Sequence, residues 1–578
     1  MLDADRPPNV RFAGIYNMYD VFSIIVESVL ISLTFIFSYI TEFCKSVWRF
    51  IFPTYKSLSD DVVLITGAGS GIGRLMCIEF SKFCPTLVAW DINEISLKET
   101  AKILAEKGCT LRTYLCDMSK KEEIIQTAEA VLREVGRVTV VVNNAGVVNG
   151  QSLVDLKSED FERCLKVNYT SHFYTIKAFL PRMIGGKVSE QSDTGLIEEP
   201  RGHFVSIASI AAVIPLAGLG DYCASKAAGI LLSESLELEM MHLKLEEKIH
   251  LTRIYPFFMN TKMFKGCKTN IYNMYDVFSI IVESVLISLT FIFSYITEFC
   301  KSVWRFIFPT YKSLSDDVVL ITGAGSGIGR LMCIEFSKFC PTLVAWDINE
   351  ISLKETAKIL AEKGCTLRTY LCDMSKKEEI IQTAEAVLRE VGRVTVVVNN
   401  AGVVNGQSLV DLKSEDFERC LKVNYTSHFY TIKAFLPRMI GGKVSEQSDT
   451  GLIEEPRGHF VSIASIAAVI PCVGFGDYCA SKAAGILLSE SLELEMMHLK
   501  LEEKIHLTRI YPFFMNTNMC KGCKTKQSWL FPIVDAEYAA RRIVQAVRAN
   551  EKDVFIYPRY LALPLIKCFV SESIGWSS

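Results

Sequence analysis

Two serine–tyrosine–lysine sets stand in this chain at identical spacing: Ser209, Tyr222 and Lys226, then Ser465, Tyr478 and Lys482. Tyr222 and Lys226 are four apart on an expected helix, so both side chains lie on one face. A tyrosine is a poor base, with an unperturbed pKa of about 10. A neighbouring cation favours the phenolate and brings the phenol toward the working range. Ser209 ends an expected strand facing that helix, where its hydroxyl could hold an oxygen as charge develops. The trio suits proton transfer at an alcohol or carbonyl. A Tyr-x-x-x-Lys pair by itself is more often a helix-surface pair, so its surroundings decide.

Those surroundings contain a glycine turn. Thr-Gly-Ala-Gly-Ser-Gly-Ile-Gly runs from Thr66 to Gly73 and again from Thr322 to Gly329. Each turn follows a short apolar run and opens a helical stretch. Glycines let the backbone turn tightly and approach a pyrophosphate, whose charge the helix N-terminus meets. Asp91 (Asp347 in the second set) ends the next strand in Val-Ala-Trp-Asp-Ile-Asn. A carboxylate there accepts the adenosine ribose hydroxyls and repels a 2′-phosphate, which favours NAD over NADP. Arg74 weakens that preference, and a plain helix-capping aspartate is the competing reading of Asp91. The positive charge of a bound nicotinamide would add to the lysine in favouring the Tyr222 phenolate.

The elements that must position these groups alternate. Val62–Thr66, Leu87–Trp90, Leu111–Leu115, Val138–Val142, Phe204–Ile207 and Leu251–Tyr255 read as strands with helical stretches between them. Such alternation implies a parallel sheet covered on both faces. The pattern occurs twice, because residues 15–269 recur as 271–525 with five differences. The expected class is α/β: two Rossmann-like, doubly wound parallel-sheet domains, each preceded by an apolar membrane-anchor helix.

The anchors are read from Val21–Ile40 and its repeat Val277–Ile296. A twenty-residue helix is roughly 30 Å long, a bilayer core. Glu27 inside the first run would cost roughly 2.5–3.5 kcal/mol at the bilayer centre. If each run crossed once, two near-identical domains would face opposite compartments, so monotopic insertion is expected. Lys45, Arg49 and Lys56 then place the following domain in the cytosol. The expected layout is a leader over 1–14, an anchor over 15–56 and a first domain over 57–269. A second anchor over 271–312, a second domain over 313–558 and an apolar tail over 559–578 follow.

Composition excludes some classes. In 578 residues the net charge of −3 gives no signal for a polyanion, so nucleic acid is not an expected partner. Nineteen cysteines are scattered as reduced thiols would be. Cys520 and Cys523 form a CxxC that the first copy lacks, having Phe264 instead, and no metal site is assigned.

Taken together, the glycine turn, Asn-Asn-Ala-Gly and Ser-Tyr-Lys resemble the short-chain dehydrogenase/reductase family over about 57–269 and 313–558. The resemblance implies cofactor contacts from Gly67, Gly71, Ile72, Gly73, Asp91, Asp117, Asn144, Ala145 and Gly146. The second copy supplies Gly323, Gly327, Ile328, Gly329, Asp347, Asp373, Asn400, Ala401 and Gly402. It also implies that Asn168 joins Ser209, Tyr222 and Lys226 as a proton-relay tetrad, and Asn424 joins Ser465, Tyr478 and Lys482. Asn168-Tyr-Thr is a glycosylation sequon, and a glycan on a relay residue again argues for the cytosolic side. The anchor, Trp-Asp-Ile-Asn and Tyr-Pro-Phe-Phe-Met-Asn-Thr look like a membrane subgroup acting on retinoids and steroids. That implies NAD-dependent oxidation of a lipophilic alcohol at the endoplasmic reticulum membrane or a lipid droplet. An NADP-dependent carbonyl reductase, or a catalytically weak membrane scaffold of the same fold, is the alternative. The family's habit of dimerising makes an intramolecular or homo-dimer an open expectation.

The five differences fall in two windows: Leu216, Ala217 and Leu219 become Cys472, Val473 and Phe475, and Lys262 and Phe264 become Asn518 and Cys520. By resemblance both windows border the substrate, so the copies are expected to differ in substrate fit; a joining of two gene models is the plainer origin. Only the second copy continues into Asp535–Asn550, an expected helix, and Asp553–Tyr557, an expected strand. The first copy should therefore have an uncapped sheet edge and weak activity.

Overall fold

The computed structural model describes residues 56–83, 86–185, 199–257, 310–340, 342–441, 455–517 and 533–556, with Thr41, Trp48, Phe52, Met259 and Met519. Two compact units divide the chain: Met1–Lys56 with Tyr557–Ile574, and Ser57–Ile556 with Gly575–Ser578. Both expected anchor runs, the second difference window but for Met519, and the tail beyond 556 lie outside the described residues. Among the described residues no helix is long and apolar enough to cross a membrane.

In the large unit the first repeat begins with β1 (Val62–Thr66), whose Val-Val-Leu-Ile-Thr is buried on both faces as a central parallel strand requires. Helix α1 (Gly71–Phe80), β2 (Thr86–Asp91), α2 (Glu94–Ala105), β3 (Leu111–Leu115), α3 (Lys121–Glu134) and β4 (Val140–Asn143) follow. Next come α4 (Ser158–Leu165), a π-turn over Lys166–Thr170, α5 (Ser171–Met183), β5 (Gly202–Ile207), α6 (Gly220–His242) and β6 (Ile249–Ile254). The strands order as β3-β2-β1-β4-β5-β6, all parallel. Direction of winding reverses between β1 and β4, which opens the crevice where such sheets bind ligands.

The second repeat gives β7 (Val318–Thr322), α7 (Gly327–Phe336), β8 (Thr342–Asp347), α8 (Glu350–Glu362), β9 (Leu367–Leu371), α9 (Lys377–Glu390) and β10 (Val396–Asn399). It continues through α10 (Ser414–Leu421), a second π-turn (Lys422–Thr426), α11 (Ser427–Met439), β11 (Gly458–Ile463), α12 (Gly476–His498) and β12 (Ile505–Tyr511). Two further elements, α13 (Ala536–Arg548) and β13 (Asp553–Phe555), extend its sheet to seven strands.

That extension marks the difference between the repeats. In the second, Arg509 is buried and binds both Asp553 and Glu493 at 2.7 Å, and Tyr511 stacks on Phe555. Ile510 and Tyr511 are 0% and 5% exposed, whereas their counterparts Ile254 and Tyr255 are 43% and 40% exposed. Helix α13 also packs on α7, where Met332 and Phe336 are fully buried; Met76 and Phe80 of the first repeat are only partly so. Among the described residues no strand covers the outer edge of β6.

Helices α6 and α12 explain their own composition. Nearly every residue from Gly220 to Met240 is buried, because one side covers the sheet and the other packs on α12. Such burial fits the many small and apolar residues along it, with Asp221, Lys226 and Glu239 as buried polar exceptions. Around this pair the repeats interlock symmetrically: Phe161 stacks on Phe429 and Phe173 on Phe417, each at 3.8 Å. Tyr174 donates to Glu418 and Tyr430 to Glu162 across the same interface.

Candidate active site

Most of the residues singled out above converge on one cavity of about 430 Å³ in the first repeat, lined by Gly67, Gly71, Ile72, Asp91, Asp117, Asn144, Ala145, Gly146, Ser209, Tyr222 and Lys226. Gly73 and Asn168 stand behind its wall.

The glycine turn fits a dinucleotide for a physical reason visible at two positions. Gly67 has φ +65°, a conformation L side chains rarely adopt, and Gly323 repeats it. A Cβ at Gly73 would lie 2.1 Å from the Gly67 carbonyl oxygen. Asn144 locks the turn to β4, its Nδ2 donating to the Thr66 and Gly67 carbonyls at 2.9 and 3.3 Å. Asn400 does the same for Thr322 and Gly323. The Thr66 hydroxyl accepts the amides of Asn144 and Ala145 at 3.0 Å, a role not anticipated from sequence.

Asp91 ties two loops. Its Oδ2 accepts the Gly69 amide at 2.8 Å and its Oδ1 the Asn93 amide at 2.9 Å. The capping reading of Asp91 fails, because Asn93 is the cap of α2 and accepts from Ser96. Asp347 and Asn349 repeat both arrangements. Arg74 is spoken for: it donates to the Gly69 carbonyl and pairs with Glu99 at 2.8 Å. Asp117 is braced by Ser119, and Asp373 by Ser375.

Ser209 leaves β5 and accepts the Ala211 amide at 3.2 Å; its hydroxyl also bonds Tyr222. Lys226, one turn along α6 from Tyr222, is buried and donates to the Ile207 carbonyl at 2.8 Å. Its ammonium lies 5.8 Å from the centroid of the Tyr222 ring. Burial pushes Lys226 down to about 8, and Lys482 likewise. Burial also raises the Tyr222 phenol, and the Ser209 hydrogen bond opposes it. Burial is the leading influence on this phenol, opposite in direction to the shift expected beside a cation and a nicotinamide charge. Ser465 and Lys482 repeat the geometry at 3.1 Å to Ala467 and 2.8 Å to Ile463.

Asn168 sits on the π-turn, fully buried, with both ends of its amide spent on Val147: Oδ1 accepts the amide at 2.8 Å and Nδ2 donates to the carbonyl at 2.9 Å. Asn424 holds Val403 identically. The Asn168 side chain fixes the wall next to Gly146, where a Cβ would stand 3.5 Å from the Lys226 ammonium. Two buried groups beside the site were not foreseen: Asp221, which accepts from Asn149 at 2.6 Å, and Ser225, which accepts from Asn168 at 3.0 Å. Among the described residues no cluster could hold a metal ion.

A short chain dehydrogenase family model matches residues 61–271 and again 317–528. Epidermal retinol dehydrogenase 2 of Mus musculus is 38% identical over 252 residues, spanning 43% of this chain and 76% of that protein. Retinol dehydrogenase 10 of Rattus norvegicus is 38% identical over 302 residues, 47% of this chain and 83% of that protein. The crystal structure of a short chain dehydrogenase/reductase from Burkholderia phymatum in complex with NAD aligns at TM-score 0.39 and 22% identity, over 45% of this chain and 96% of that one. The chain belongs to the short chain dehydrogenase family, carries that domain twice, and is a short-chain alcohol dehydrogenase.

Proposed function

We propose that this protein is a membrane-attached, NAD-dependent dehydrogenase that oxidises a lipophilic alcohol, such as a retinoid, sterol or long-chain alcohol, to its carbonyl. The observation carrying the cofactor choice is Asp91, repeated as Asp347, held at the cavity mouth by the Gly69 and Asn93 amides. A fixed carboxylate there receives ribose hydroxyls and repels a 2′-phosphate, and Arg74 is engaged by Glu99 and cannot answer that phosphate. Support for the substrate class comes from the retinol dehydrogenases that match at 38% identity.

The chemistry a bound nicotinamide supplies is hydride acceptance. The chain's own groups do the rest. Ser209 holds the substrate oxygen, Tyr222 takes its proton, and Lys226, neutralised only above about pH 8, keeps positive charge beside the phenol. Tyr478, Ser465 and Lys482 are set to do the same. The protein is assigned to the endoplasmic reticulum or a lipid droplet, with both domains in the cytosol and the two repeats acting as an intramolecular pair. The test is NADH production from retinol, a sterol and a fatty alcohol by the intact chain, run with NAD and with NADP. Turnover with NADP alone, or in the reductive direction only, would replace this reading with that of a carbonyl reductase.

A further inference from the structure

Each catalytic helix carries near its C-terminal end a buried carboxylate whose hydrogen bonds go to the other repeat. Glu239 and Glu495 lie near the C-terminal ends of α6 and α12, roughly 25 Å along the helix from Tyr222 and Tyr478 at a rise of about 1.5 Å per residue. Both are almost fully buried, at 2% and 5% exposure. Among the described residues neither has a salt-bridge partner. The two oxygens of Glu495 instead accept the Leu153 amide of the first repeat at 3.0 Å, and Oε1 also accepts the Gly218 amide at 3.3 Å. Glu239 accepts the Leu409 amide of the second repeat at 3.0 and 2.9 Å, with the Gly474 amide beside it.

These amides sit where substrate selection is expected. Gly218 and Gly474 have φ +72° and +75°, at the crest of the loops carrying Leu216, Ala217 and Leu219 or Cys472, Val473 and Phe475. Leu216 and Leu219 line the cavity with Tyr222. Leu153 packs on Gly220, so one carboxylate staples two loop segments that meet at the start of the catalytic helix. Leu487 of the second repeat packs against the same cluster as Tyr222 and Leu219. Burial pushes both carboxyls up to about 7, while the loop amides pull them back.

We infer that Glu495 is a positioning residue for the substrate loop of the first repeat, and Glu239 for that of the second, so each site is completed by the other copy. The inference rests on the proposed alcohol oxidation for its kinetic readout, but not for its structural one.

The test uses the full chain in two backgrounds: Tyr222→Phe, leaving the second site, and Tyr478→Phe, leaving the first. Glu239→Gln in the Tyr222→Phe background is expected to raise KM for a long-chain alcohol by about tenfold or more, the scale of one charged hydrogen bond, with KM for NAD unchanged. In the Tyr478→Phe background the same substitution leaves the alcohol KM unmoved. Glu495→Gln shows the mirror pattern, and Glu239→Asp gives the same crossed sign at smaller size if the glutamine variant does not fold. An effect confined to the residue's own copy, equal in both or absent from both, overturns the assignment. If the chain oxidises no alcohol, the functional reading fails while hydrogen exchange still decides this one. Glu495→Gln then speeds exchange at Gly218 and Leu219 but not at Gly474 and Phe475; uniform or unchanged exchange overturns it.

Discussion

Substituting Gly329 by alanine tests whether the glycine turn holds a dinucleotide. The new Cβ would stand 2.0 Å from the Gly323 carbonyl oxygen and 2.7 Å from Asn400 Nδ2. Contacts under 3.0 Å are essentially never tolerated, so the carbonyl must withdraw by about 1 Å. Asn400 donates to that carbonyl and to Thr322, so the wall beside the cofactor shifts with the turn. A misplacement of this size costs on the order of 10²-fold, or about 2.7 kcal/mol, in affinity. Gly73→Ala carries the same clash at 2.1 Å in the first repeat. The assay is the number of NAD molecules bound per chain, by calorimetry or nicotinamide fluorescence. Two sites are expected for the unaltered chain, one for either variant and none for the double variant. Gly485→Ala, whose Cβ would meet nothing nearer than 3.7 Å, should keep both sites. Two undiminished sites in Gly329→Ala would refute the reasoning.

Other outcomes follow from the same geometry. Tyr222→Phe with Tyr478→Phe should lower turnover by about 10²–10⁴-fold, the usual worth of a positioned proton acceptor. Tyr478→Phe alone should remove most turnover, because among the described residues only the second sheet has its outer edge covered; retention of full rate would locate activity in the first repeat. Arg509→Met should destabilise the second repeat by about 1.5–3 kcal/mol in denaturant melts, since it removes charge-assisted bonds to Glu493 and to the more exposed Asp553. Arg253→Met should cost less, because the Arg253 side chain is partly exposed and its ion pair is with a half-buried Glu237. His172 and His428 are fully buried and pushed down to about 3, mainly by desolvation. A lowered folded pKa means the unfolded chain takes up protons first as pH falls. Their contribution to stability is thus present above about pH 6.5 and lost progressively toward pH 3. His172→Phe with His428→Phe should flatten that acid limb, seen as melting temperature against pH.

The central strands were legible because their residues are apolar on both faces and end in turn chemistry, and the exposed edge strand by its place in the alternation. Val62–Thr66 and Leu111–Leu115 match the expected bounds, and the expected helix over 535–550 forms as Ala536–Arg548, capped by Asp535 onto Tyr538. Strand β4 begins at Val140 rather than Val138, because the Thr139 hydroxyl is taken by the Val62 amide. The site residues were legible as a set, since spacing alone puts Tyr222 and Lys226 on one face. What spacing could not show is the direction of the Tyr222 shift, which depends on how deeply the phenol is buried. Nor could it show that Asn168 spends its amide on Val147, which requires knowing that a π-turn interrupts the helix there. Nothing local in the sequence singles out Glu239 or Glu495, because the partner that buries them is 170 to 342 residues distant in sequence.

Joining the two repeats in one polypeptide has a consequence that a pair of separate chains would not share. In a symmetric dimer every substitution appears on both sides of the seam at once. Here Phe475 faces one half while Leu219 remains in the other, although the helices that meet between them are identical. A change tolerated in one half need not be tolerated in its twin, and the halves are always present one to one. The seam between α6 and α12 thus lets a single molecule try two versions of the same loop while keeping the shared surface intact.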